Sequence, residues 1–416
     1  MSAGDRRLAL IWLAVTAGLL VVVAAVSVPW DWTPGGQLPP VDPTAGLPAD
    51  TLSRIEAYSG RATAYGLAAN AVALAVAVGL GLTPWGARMV RSLPGRRWPV
   101  QLLVTVVVVT VLGRLATLPL AIPAERLRRA YGLSTQTWGS YALDRLRDLG
   151  VSVVVLTVVL LGVVALARRV TRLWWLLVSL LGAGLVVAGS YVYPLIVEPI
   201  YNDFRPMADG PLRQSLLVLA EQDGIAVSEV LVADASRRTT TVNAYVSGFG
   251  ATKRIVVFDT LLEGAPPDEV RQVVAHELGH VAADDVLTGT LLGALGAASG
   301  VTALVLVAQT SWVRRRAGVD DLREVAAVPM VLALLAVGSW VSLPAQNVVS
   351  RAIEARADRH ALALTDDPDT LVAVQQRLAA RNLGDPDPPR LVYLWFATHP
   401  TAAQRVALAE GEDRDG

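Results

Sequence analysis

Seven apolar stretches constrain this 416-residue chain more than any other feature. A helix needs roughly 20 apolar residues to cross a bilayer. The stretches run Leu8–Val28, Ala64–Leu82, Val100–Ile122, Val151–Ala167, Leu173–Val197, Val286–Gln309 and Val325–Val349, the fourth being the shortest. Inside lipid every backbone polar group must be paired within the protein, so each stretch predicts a helix. Hydrophobic residues make up 53% of the chain and charged residues 17%, which excludes an ordinary soluble domain. Arg6 and Arg7 precede the first stretch as they would in a signal peptide. Its apolar run is too long and no small-residue cleavage site follows, so it reads as an anchor.

The expected fold class is a mainly α, multi-pass membrane protein with a seven-helix transmembrane bundle and a small α+β domain. Residues 1–197 form an amino-terminal membrane domain of five spans. Residues 198–285 are the long polar stretch that makes the α+β domain. Residues 286–349 carry spans six and seven, and 350–416 a polar, helical C-terminal segment. Within the α+β unit, Gly210-Pro211 opens a helix that Gly224 ends, and Glu229–Ala233 is a strand. Asn243–Gly248 and Ile255–Phe258 are two more strands, with a turn around Gly250–Lys253 between them. The loop Pro29–Gly60, rich in Pro and Gly, reads as irregular, and a separate polar helix is expected from Ser350 to Thr365.

The chemistry is announced by His276-Glu277-Leu278-Gly279-His280. On a helix, residues four apart share a face, so both imidazoles reach one ion. Pro267, Asp268 and Glu269 supply a helix start with acids in its first turn. Zinc accepts neutral imidazole nitrogen, and Glu277 stands where a general base takes a proton from water. The chain has four histidines and no cysteine, so a metal must be held by His, Asp or Glu. The net charge of zero gives no reason to expect nucleic acid as a partner.

A catalytic zinc needs a third protein ligand. Glu354, Asp358, His360 and His399 are the candidates downstream. Glu354 and Asp358 are four apart on a helix, so Glu354 is assigned as ligand and Asp358 as the group that orients an imidazole. Two crossings separate His280 from Glu354 and return the chain to the same membrane face, close to the surface. His360 reads as structural or solvated. His399, in Thr398-His399-Pro400 ahead of Arg405, reads either as a donor to a developing oxyanion or as a surface histidine in a turn. Arg114 lies inside the third span, where it faces a wet cavity or pairs with a carboxylate. Gly289, Gly293, Gly296 and Gly300 in the sixth span read as packing positions.

His276–His280, Glu354-Ala355-Arg356-Ala357-Asp358, and Thr398-His399-Pro400 with Arg405 together resemble the type 1 CAAX prenyl proteases and their bacterial relatives. The heat-shock protease HtpX is a more distant cousin. Asn243-Ala244-Tyr245 and Tyr131-Gly132-Leu133-Ser134 are also similar to that family. The resemblance implies a gluzincin zinc metalloendopeptidase on a seven-helix bundle around a water-filled chamber. It implies His276, His280 and Glu354 as zinc ligands, Glu277 as base, Asp358 behind the ligands and His399 as a transition-state helper. It implies Asn243, on an edge strand, as a contact to substrate backbone. The implied partners are membrane lipids and a peptide or protein substrate, lipid-modified or not, for a monomer whose oligomeric state the sequence leaves open. The alternatives are a quality-control protease of HtpX type and a non-catalytic zinc-binding membrane protein.

A bacterial plasma membrane is the expected location. Lys253 is the only lysine, and this arginine bias points to a GC-rich bacterial genome. One face's short loops hold Arg6, Arg7, Arg88, Arg91, Arg96, Arg97, Arg168, Arg169, Arg172, Arg314, Arg315, Arg316 and Arg323. The other face's hold Arg54, Arg61, Arg126, Arg128, Arg129, Arg145 and Arg147. The positive-inside rule puts the richer face in the cytoplasm and turns the catalytic domain outward. The eukaryotic relatives work on the cytosolic side, so the two readings stand side by side.

Overall fold

The computed structural model describes all residues except 33–37, 39–40, 43, 96, 194–197, 249–252 and 416, and the side chains of 412–415. The turn expected around Gly250–Lys253, the end of the fifth stretch and Arg96 thus fall wholly or largely outside the described residues.

Among the described residues, all seven apolar stretches are carried by helices, and seven helices are long and apolar enough to cross a membrane. The membrane half comprises α1 (Ala3–Ser27), α2 (Ala49–Gly81), the short α3 (Pro84–Ser92), α4 (Trp98–Ala130), α5 (Trp138–Arg169) and α6 (Trp174–Val192). A capping box starts α1, with Asp5 N donating to Ser2 Oγ at 3.1 Å and Asp5 accepting in return. Several helices outrun their apolar segments. α2 absorbs part of the loop expected to be irregular. α4 runs through Pro119 and Pro123 for a further two turns. α5 begins well before Val151, so the shortest stretch belongs to a helix of 32 residues.

The second half opens with α7 (Glu198–Tyr201), β1 (Phe204–Pro206), α8 (Pro211–Gln222), β2 (Glu229–Ala233), β3 (Ala244–Ser247) and β4 (Arg254–Phe258). Gly224, at φ +68°, ends α8 as expected, and Ile225 N returns to Ala220 O at 2.8 Å. The strands form one sheet in the order β1-β2-β4-β3, with β2 and β4 parallel and both outer pairs antiparallel. The edge strand β3 is the one nearest the motif helix. Then follow α9 (Asp259–Gly264), α10 (Pro267–Ala282), α11 (Asp285–Ala308) and α12 (Ser311–Ala317). The last elements are α13 (Val328–Thr365), α14 (Pro368–Asn382), α15 (Arg390–Phe396) and α16 (Ala402–Asp415).

The separate helix expected from Ser350 does not exist as such. It is the continuation of the seventh span, a single helix of 38 residues. The change from apolar to polar at Val349 marks departure from lipid, not a break in the backbone.

Neighbouring spans pack in the cyclic order α2, α4, α5, α6, α11, α13 and back to α2, and α13 also touches α4. α1 lies against α11, tied to it by Ser299 Oγ donating to Thr16 Oγ1 at 3.0 Å, and is tied to α6 by Trp12 Nε1 donating to Ser179 Oγ at 2.9 Å. The chain exposes 20758 Å², whereas a compact monomer of 44.0 kDa exposes about 15,500 Å². Of the four glycines in α11, Gly293 sits against Val186 of α6, and a Cβ at the other three would meet nothing.

Two buried cores fix the ends. One joins α8, β2, β4 and α10 through Leu216, Val230, Ile255, Val274 and Leu278, and reaches Ala361 of α13. The other, with Val90, Leu102, Leu160 and Met330, closes the opposite membrane face. There the arginine-rich loops meet: Arg91 Nη2 donates to Gly318 O and Arg168 Nε to Arg323 O, both at 2.9 Å.

Candidate active site

Helices α10 and α13 cross at Gly279. A Cβ there would lie 3.0 Å from His360 Cβ and 3.2 Å from Ala357 Cα, closer than side chains ordinarily come. The missing side chain lets the two helices approach, and their facing residues make the site. His276 Nε2 lies 3.2 Å from Glu354 Oε2, and His280 Nε2 lies 3.7 Å from Glu354 Oε1. One ligand atom from each of the three lies within 4.8 Å of the others. Bonds of about 2.0–2.2 Å to a tetrahedral centre separate ligand atoms by about 3.4 Å. Two imidazoles, one carboxylate and an open side match a catalytic divalent-cation site.

A carboxylate stands behind each imidazole, and each carboxylate is paired with an arginine. Asp358, fully buried, takes His276 Nδ1 at 2.8 Å and is gripped from the other side by Arg405, whose Nε donates to Oδ2 at 2.7 Å. Asp285 takes His280 Nδ1 at 2.9 Å and pairs with Arg356. Both histidines therefore present Nε2 to Glu354, with the Nδ1 proton fixed by a carboxylate. Burial pulls the His276 imidazole down, but the Asp358 charge and the hydrogen bonds from Asp358 and Glu354 outweigh it and push it up to about 10. That rise measures the negative charge gathered here, which a bound cation would neutralise. Burial raises Glu277 above the usual carboxylate range, as suits a base working near neutral pH.

Asp358→Asn would keep the shape and lose the charge between His276 and Arg405. The expected result is a 10- to 100-fold drop in metal affinity, by about the cost of losing such a partner. Equilibrium dialysis with zinc checks it; unchanged affinity would mean the carboxylate is idle.

Glu277, His399, Asn243 and Arg405 line one cavity of about 480 Å³ with His276. His399 Nε2 lies 3.2 Å from Glu354 Oε2, and its Nδ1 meets Thr398 Oγ1 at 2.9 Å. It stands in an exposed turn and reaches the site from there, so the structure is compatible with both sequence readings. Arg351, one turn before Glu354, holds this turn by donating to Ala397 O at 2.8 Å and Tyr393 O at 3.2 Å. Asn243 precedes β3, with its carbonyl accepting from Phe258 N at 3.0 Å and its side chain exposed.

His360 sits apart, with Nε2 2.9 Å from Asp223 Oδ1, where it ties α13 to the end of α8. Arg114 is exposed on α4 and pairs with no carboxylate among the described residues. Two contributors were given no role in the site by sequence reasoning. Asp285 carried a signal, an acid five residues past His280. Arg405 carried a weaker one, since Thr401-Ala402-Ala403-Gln404 is a capping box that starts α16 and aims the guanidinium. Thr401 N meets Gln404 Oε1 at 2.9 Å, and Gln404 N meets Thr401 Oγ1 at 3.2 Å.

Comparison with known proteins agrees with this geometry. The family model described as Peptidase family M48 matches residues 206–413, and the CAAX prenyl protease N-terminal model, five membrane helices, matches 37–203. The uncharacterized metalloprotease YhfN of Bacillus subtilis (strain 168) is 33% identical over 74% of this chain and 73% of its own. The human CAAX prenyl protease 1 homolog is 23% identical over 74% of this chain and 73% of its own. The crystal structure of Ste24p from S. mikatae superposes with a TM-score of 0.78 at 21% identity, covering 97% of this chain and 99% of the other. At that identity the likeness speaks for the fold.

Proposed function

The chain belongs to peptidase family M48 and is a CAAX prenyl protease-like membrane metalloendopeptidase, and from that premise we propose a zinc-dependent hydrolysis carried by Glu277. The observation behind the proposal is the convergence of His276, His280 and Glu354 within 4.8 Å. These residues would hold the metal, with Asp358 and Asp285 fixing the imidazoles. Bound there, zinc would supply Lewis acidity and bring a water's pKa toward neutrality.

The residues' own work follows. Glu277 takes the proton of the attacking water and returns it to the leaving amine. His399 donates a hydrogen bond to the oxygen of the scissile carbonyl as its charge grows. Asn243 and the free edge of β3 bind the substrate backbone in extended form. The site stands where α13 leaves the apolar zone, which favours peptides delivered from the membrane, lipid-linked ones included. We place the enzyme in a bacterial plasma membrane as a monomer. The arginine count, now resting on a full-length α5, turns the catalytic half outward.

The test is peptide cleavage by purified protein in lipid nanodiscs. A chelator should abolish it and added zinc restore it. Cleavage indifferent to chelation would remove the zinc reading.

A further inference from the structure

The cavity at the candidate metal site continues along α10 and α14 past the catalytic groups. One turn before His276 on α10, Gln272 lines it and is 1% exposed. Its Oε1 lies 2.7 Å from Thr365 Oγ1, and its Nε2 meets no protein partner. Thr365 has one hydroxyl proton, and Ala361 O also stands 2.7 Å from that hydroxyl. Whichever way the Gln272 amide is turned, one of its polar atoms is left over. On α14, Gln375 lines the same cavity at 5% exposure, and its Nε2 is also without a protein partner. Asn382, two turns further along that face of α14, carries an unpaired Oδ1. The neighbouring wall is apolar, formed by Val273, Leu371 and Val374.

Among the described residues, three of the buried polar atoms without partners fall on residues along this one cavity, beside a reaction centre, where a substrate would supply the missing bonds. We propose that this end of the cavity is a subsite for a substrate side chain that ends in a carboxamide, asparagine or glutamine, next to the cleaved bond. A carboxamide both donates and accepts, so it satisfies these amides in either orientation. An aliphatic side chain would leave them unpaired, and a site built to hydrogen-bond discriminates strongly against such an analogue. An acidic side chain would meet Asp385 and the carboxylate of Glu277, while the cavity's Arg405 is already paired with Asp358. The proposal rests on the endopeptidase reading and names its substrate preference.

A mixed synthetic peptide library, incubated with zinc-loaded full-length protein in nanodiscs and read by mass spectrometry, tests it. The expected profile favours Asn or Gln over Leu by at least about tenfold at one position within two residues of the cut. Gln375→Leu and, separately, Gln272→Leu should shift that position toward Leu with zinc content unchanged. Cleavage without a carboxamide preference, or zinc-loaded variants that keep the wild-type profile, overturns the subsite and leaves the protease standing. Zinc-loaded wild type that cuts nothing overturns both. If neither variant holds zinc, the wild-type profile decides alone.

Discussion

Replacing Glu277 by glutamine will lower kcat/KM for peptide hydrolysis by about 100- to 10,000-fold, the range of a general base removed from its reaction. Glutamine has the size of glutamate and cannot take a proton. Glu277 is absent from the trio of ligand atoms, so the variant should bind zinc as the parent does. The residue lies between His276 and Leu278 on α10, partly buried and open to the cavity. Its raised carboxyl reflects burial that the neighbouring imidazoles only partly offset. Zinc content and peptide turnover are measured on the same preparation. Turnover at the parental rate with zinc in place would show that another group moves the proton.

Glu354→Ala should have the second largest effect, and of a different kind. It deletes the one carboxylate, among the described residues, that reaches both imidazoles and His399. Losing a group that orients a ligand costs 10- to 100-fold in affinity, by about the usual figure, so losing a ligand should cost more than about 100-fold. Zinc affinity should therefore rank wild type, then Asp358→Asn, then Glu354→Ala, with activity following the metal. Glu277→Gln breaks that pattern by losing activity alone. If Glu354→Ala holds zinc as tightly as Glu277→Gln does, the third ligand lies elsewhere.

The residue types and spacings that make the site were open to reading because they are local or topological. The histidines are one turn apart, and the helix start is written in Pro267, Asp268 and Glu269. Glu354 could be placed by counting crossings, since an even number returns a chain to its starting face. β2 could be bounded because its apolar run is short and sharply flanked. The continuity of α13 was hidden because a change of polarity along a helix resembles an end, although no glycine or proline intervenes between Val349 and Thr365. Asp285 and Arg405 were harder for a physical reason. Their partners are set by how α11 and α16 pack against α10 and α13, which no local pattern encodes. The same holds for Arg351, which looks like a stray charge at the end of a span until the turn that carries His399 folds onto it. The amides of Gln272 and Gln375 drew no notice as sequence, because only burial reveals that they lack partners.

The central claim is that His276, His280 and Glu354 grip one metal ion together. X-ray absorption at the zinc edge of the purified, zinc-loaded protein tests it most directly. The account predicts imidazole scattering from a pair of histidines, with nitrogen and oxygen neighbours at about 2.0–2.2 Å, and loss of that spectrum in Glu354→Ala. A zinc spectrum without histidine scattering, or one unchanged by Glu354→Ala, would contradict it.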